Sequence, residues 1–139
     1  MDTMTLTTLT TDEIVHGFAD RTLPAHHFTH DAHLTVCHHS ICRVGRDATF
    51  DHFRWAIRAF NTAKGTANTD TSGYHETLTL YYIGTVAHLI ALGRDDLPSI
   101  LVDPACARDA PLKHWSRRLL MSVEARCSWT DPDLLPLPW

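Results

Sequence analysis

Eleven of the 139 residues are histidine, and six of them, His26, His27, His30, His33, His38 and His39, fall within fourteen consecutive positions. Imidazole changes charge nearest to neutral pH, so a run of this density points to metal ligation, proton transfer or a polar core. On a helix, His30 and His33 share one face and stand close enough to hold a small cation together. Cys37 follows one turn later. His27 extends the row, but it lies beside Pro24, where a helix has yet to start. His38 and His39 fall on other faces and read as solvated surface residues. A second group of interest is Gly73-Tyr74-His75-Glu76-Thr77. A carboxylate in the first turn of a helix favours the helix dipole and by itself needs no ligand. A histidine beside it is explained equally well as a core residue donating to a carbonyl. The segment that follows is apolar, however, and burying a carboxylate is expensive unless it is paired or bound to metal.

Packed side by side, the two segments bring His30 and His33 to face Glu76 and His75. That donor set, two imidazoles and a carboxylate with a further imidazole, predicts a divalent metal centre built from His30, His33, His75 and Glu76. Its open positions match a non-haem Fe²⁺ facial triad slightly better than a Zn²⁺ site. The expected function is a metal-dependent enzyme acting on a small organic substrate, with Glu76 and His75 as the catalytic pair and a pocket lined by residues such as Phe28, Tyr74 and Tyr82. The competing expectation is a non-catalytic helical binding or assembly module in which the same histidines order a polar core. A haem or organic-ligand carrier and a cofactor-free acid–base enzyme using His75 and Glu76 are further readings. The zincin pattern H-E-x-x-H is missing, and H-x-x-H arises easily by chance in so histidine-rich a chain. Cys37 as a nucleophile has weaker support, because a helical cysteine among apolar residues is mostly a small core hydrophobe. No nucleophile elbow, P-loop or dinucleotide fingerprint is present. Arg117-Arg118, beside Trp115, reads as a solvated helix face.

These residues need helices to position them. Residues 1–9 are Thr-rich and aperiodic, predicting a frayed, flexible terminus ahead of one domain over 10–139. Thr10-Thr11-Asp12-Glu13 has the form of a capping box, followed by Ile14, Val15 and Phe18, which predicts a helix over about 11–21. Pro24 interrupts, and a second helix carries the histidines from Phe28 through Leu34 and Ile41 to Gly45. Asp47 is placed to cap a third helix, with Phe50, Phe53, Ile57 and Phe60 in one stripe and Gly65 at its end. Thr66 to Gly73 reads as a loop, with Ser72 placed to cap a fourth helix over about 74–92. That helix is apolar nearly all round between Leu78 and Leu92, so it should be the most buried. Pro98, Pro104 and Pro111 leave room for short helical turns near 99–102 and 112–121. The tail, Asp131 to Trp139, is too rich in proline to be helical and too apolar for water, which suggests an extended strap across a helix groove. No alternating strand pattern appears. The expected fold is thus an all-α, single-domain bundle of about four to six helices with a Pro-rich C-terminal strap.

Phe28-Thr29-His30-Asp31-Ala32-His33-Leu34, Gly73-Tyr74-His75-Glu76-Thr77-Leu78-Thr79, and Ser122-Val123-Glu124-Ala125-Arg126 leading to Trp129 and Pro132-Asp133-Leu134 together resemble a group of small bacterial all-helical proteins. The resemblance covers roughly residues 28 to 138. It implies that the two histidine motifs belong to one pattern and favours His30, His33, His75 and Glu76 over the other histidines, but it brings no activity with it. Where that pattern has Trp and Glu, this chain has Phe28 and Asp31, which implies that neither exact side chain is essential.

Composition narrows the field. Lys and Arg number 12 against 16 Asp and Glu, a net charge of −4, which argues against a broad footprint on nucleic acid or anionic lipid. The four cysteines form no C-x-x-C pair, so neither a zinc ribbon nor a disulfide scaffold fits. No apolar run is long enough to span a bilayer, and the start lacks a signal-peptide pattern, so a cytoplasmic protein is expected, with homo-oligomerisation left open.

Overall fold

Thr10 opens the first helix, α1 (Thr11–Ala19), through a reciprocal capping box: its hydroxyl accepts from the Glu13 amide, and the Glu13 carboxylate accepts from the Thr10 amide at 2.9 Å. The computed structural model describes residues 8–139. Of the terminus expected to fray, residues 1–7 lie outside the described residues, while Leu9 packs against the core. Helix α2 (His30–Val44) starts one residue after Thr29, whose hydroxyl accepts from the Ala32 amide. Gly45, with φ at +88°, ends α2 and is also the residue from which α3 (Arg46–Ala63) springs. That positive φ, which glycine adopts without a Cβ clash, lets the chain reverse without a linker. Asp47, expected as the cap, sits instead in the first turn of α3 and pairs with Arg46.

The loop after α3 delays the fourth helix. Asn68 accepts from the Asn61 side chain and the Tyr74 amide while its own NH₂ donates to the Arg58 carbonyl. Gly73 lies at φ +78°, and a Cβ there would stand 2.6 Å from the Ala67 carbonyl oxygen. So tightly wound a segment cannot be helical, and α4 (Glu76–Ala91) begins beyond it with His75, not Ser72, as its cap. The remainder is short: α5 (Leu97–Val102) capped by Asp96, 3-10 turns at Pro104–Cys106 and Ala110–Lys113, then α6 (Arg117–Leu120) and α7 (Val123–Cys127), capped by Ser116 and Ser122. The single helix predicted over 112–121 is therefore split. Ser116 is held out of helical geometry by Asp133, which accepts from both its amide and its hydroxyl at 2.7 Å.

The described residues form an all-α fold with no strand, only an isolated bridge between Thr69 and Ser72. Among them, no helix is long and apolar enough to cross a membrane. Helix α4 packs most extensively on α2 and α3. It separates two apolar clusters: Ile83, Val86 and Leu89 join Phe18, Leu34, Phe53 and Phe60 on one side, and Tyr81 joins Trp115 and Leu120 on the other. A helix between two cores must be apolar on both flanks, which accounts for the run from Leu78 to Leu92. The C-terminal segment covers the second cluster. Its Leu134 amide donates to the His114 carbonyl, and the Trp139 indole lies over Gly84 and donates to Thr85.

Candidate functional site: a cavity between α2 and α4

Where α2, α3 and α4 diverge, they enclose an open cavity of about 550 Å³. Phe28, Tyr74, Tyr82, Leu34, Ile57 and Leu78 supply most of its apolar wall, and His30, His33, His75, Thr79, Asn61 and Arg108 supply polar groups. The three aromatic residues anticipated for a substrate pocket all line it. Of the four candidate ligands, His30, His33 and His75 line it too, and Glu76 does not.

His30 is the first residue of α2, half-buried, with Nε2 2.7 Å from the Cys106 carbonyl oxygen. A carbonyl only accepts, so Nε2 carries the proton and Nδ1 of the neutral ring is left as an acceptor. The ring meets the Tyr82 ring edge-on at 5.2 Å, and the Tyr82 hydroxyl donates to the Ala107 carbonyl at 2.8 Å. His33 is anchored from its own turn: Nδ1 lies 2.8 Å from the Thr29 carbonyl, so Nδ1 is the donor and Nε2 the free acceptor. Its ring stacks on Phe28 at 3.7 Å. The residue is open to solvent through the cavity mouth, yet its ring stands among many protein atoms. This desolvation lowers its pKa to about 4, helped by His30 and Arg108 and opposed by the Thr29 carbonyl. His33 is therefore neutral at pH 7, with a lone pair on Nε2.

His75 has a different task. Its Nδ1 accepts the Leu78 amide at 3.1 Å, capping α4, and its Nε2 donates to the Leu120 carbonyl at 2.7 Å. Both nitrogens are engaged, and burial lowers its pKa, with the nearby Arg126 acting in the same direction. Glu76 turns away from the cavity toward α3. Its carboxylate accepts from Arg54 through Nη2 at 2.9 Å and Nε at 3.3 Å, and from the Tyr74 hydroxyl at 2.8 Å. Arg54 in turn lies over the Phe50 ring, 4.4 Å from its centroid. The buried charge is met by a guanidinium and a phenol, the paired arrangement a buried carboxylate requires.

The four candidates thus separate into two that offer free lone pairs, His30 and His33, and two that are fully engaged, His75 and Glu76. A zinc or iron centre needs three or four convergent donors. Among the described residues, no three His, Cys, Asp or Glu side chains are grouped to hold a metal ion. As arranged, the donor set does not fit Fe²⁺ or Zn²⁺. Cys37 lies in the cavity wall, but burial pushes its thiol far up, as it pushes Cys106 to about 12, so neither offers a thiolate at neutral pH.

Arg54, Arg108 and Arg126 are the residues that sequence reasoning missed. Arg54 neutralises Glu76 from 22 positions upstream, and Arg126 donates to the Gly73 and Tyr74 carbonyls from about 52 positions downstream. No local spacing signals such pairs. No family model, curated protein or solved structure matches the chain.

Proposed function

We propose that the protein binds a small organic molecule in the cavity between α2 and α4, and that the free imidazole nitrogens of His30 and His33 accept hydrogen bonds, or a proton, from it. One observation carries this reading. Two imidazoles in the wall of a mostly apolar cavity each spend one nitrogen on a backbone carbonyl and, among the described residues, leave the other without a partner. What sets these two apart from His38 and His114, which are anchored on one carbonyl in the same way, is that their second nitrogens stand in a cavity wall, whereas His75 has both nitrogens engaged and none to offer. Anchoring one nitrogen fixes ring orientation and tautomer, which is how an acceptor is held ready for a ligand. The volume and the mix of aromatic walls with few polar groups suit a small-molecule site. A metal-dependent form of the reading would require Glu76 to leave Arg54 and His75 to leave its cap; the metal-free form requires no rearrangement.

The test is an aromatic fragment screen by thermal shift, followed by ¹⁵N spectra of the imidazole nitrogens. Hits should move the His30 and His33 resonances and leave His39 and His52 in place. Hits that saturate the protein without moving either ring would defeat the reading.

A further inference from the structure

We infer that the molecule taken up by this cavity is an organic anion with a planar apolar body, its anionic group met by Arg108; this rests on the cavity being a ligand site. The chain carries sixteen Asp and Glu residues, yet none of those among the described residues lines the cavity. Of the three carboxylates that adjoin a lining residue in sequence, Glu76 is turned away and neutralised by Arg54, and Asp31 and Asp109 stay outside the wall. Among the described residues, Arg108 is the one permanently charged residue in the wall, and no carboxylate pairs with it. In a protein of net charge −4, a wall with one cation and no anion is selective in sign.

The position of Arg108 is fixed from beneath. The Tyr82 hydroxyl donates to the carbonyls of Ala107 and Arg108, and the Tyr81 hydroxyl to that of Ala105, so α4 bolts down the backbone that carries the guanidinium. The side chain is left to its fork of donors, which suits a carboxylate bidentately. Beside it, Phe28, whose ring is stacked between His33 and Phe18, and Tyr82 give apolar wall to a flat body, and His30 and His33 offer acceptors to a hydroxyl or N–H on that body. A neutral molecule would take a weaker bond from the guanidinium, and a cation would be repelled by it.

The probes are naphthalene-2-carboxylate and its neutral isostere naphthalene-2-carboxamide, titrated calorimetrically at low salt into the full chain and into two variants. Arg108→Gln removes the cation from an exposed side chain that makes no hydrogen bond among the described residues. Leu78→Trp fills the cavity. The expected result is that both probes bind, that the carboxylate binds about tenfold more tightly, and that Arg108→Gln erases this preference by weakening the carboxylate far more than the amide. Raising ionic strength should shrink the preference as well. Equal affinities in the parent protein, or a preference that survives Arg108→Gln, would overturn the anion assignment and leave the cavity reading standing. Failure of both probes to bind, or binding that survives Leu78→Trp, would overturn the cavity reading and this inference with it.

Discussion

Replacing Glu76 with Gln separates the structural role of this carboxylate from a ligand role. Glu76 is 8% exposed and accepts three hydrogen bonds, two from Arg54 and one from Tyr74. Bonds to a charged acceptor contribute about 1.5–3 kcal/mol each at full burial. Arg54 has a side chain 43% exposed, so water competes for it and its two bonds count for less. The amide keeps the shape but removes the charge, and it sets an NH₂ against one of two donors. We expect a loss of about 1.5–2.5 kcal/mol, which for a domain of this size lowers Tm by roughly 5–12 °C. Calorimetric melting reads it directly. In an Arg54→Met background the same substitution should cost about half as much or less, because the partner is already gone. A Glu76→Gln protein that melts within about 1 °C of the parent would refute the argument that the Arg54 pair carries this buried charge.

Other variants test the remaining contacts. His75→Ala should cost about 1 kcal/mol by uncapping α4, whereas His75→Asn should recover most of it, as urea unfolding would show. His33 and His75 both have pKa values lowered by folding, so below about 6.5 the unfolded chain binds protons that the folded chain refuses. Stability should therefore be full above that pH and fall as pH drops toward 4, with a shallower fall in His33→Asn; a flat profile from pH 7 to 5 would contradict the shifts. Gly84→Ala drives a methyl into the Trp139 ring and should cost about 1–3 kcal/mol, nearly all of it abolished in a Trp139→Ala background. Ellman's reagent at pH 8 should find two accessible thiols, Cys42 and Cys127, with Cys37 and Cys106 reacting only on unfolding.

Most of the fold was legible because its signals are local. The Thr10 box, the α3 stripe and the doubly apolar α4 each declare themselves within one helix's length. Where the reading slipped, a distant partner decided. Ser72 is a sound cap by composition, but Asn68 and Gly73 wind the loop past it, and His75 takes the position. Ser116 interrupts an otherwise helical pattern because Asp133, seventeen residues on, captures it. The cavity was partly legible as well: the aromatic lining and three of the four polar candidates face one space. Which nitrogens stay free was not legible, since the carbonyls of Cys106 and Leu120 that occupy the others come from segments with no periodic relation to α2 or α4.

The start of α4 shows why a buried carboxylate is an ambiguous sign of metal. Three successive residues there serve three neighbours: Tyr74 gives its ring to the cavity and its hydroxyl to Glu76, His75 ties α4 to Leu120 at the end of α6, and Glu76 ties it to α3. A carboxylate entering an apolar helix needs a positive partner, and a metal ion or a guanidinium meets that need equally well. The choice lies with Arg54, which no motif around Glu76 can report. The same geometry makes Glu76 a positioning residue for the cavity it does not touch. Its bond to the Tyr74 hydroxyl sets how that ring closes the wall, so the Glu76→Gln protein should bind a cavity ligand more weakly as well as melt earlier. Tyr74→Phe should reproduce part of the binding loss with a smaller change in Tm, because it frees the ring and leaves the ion pair intact.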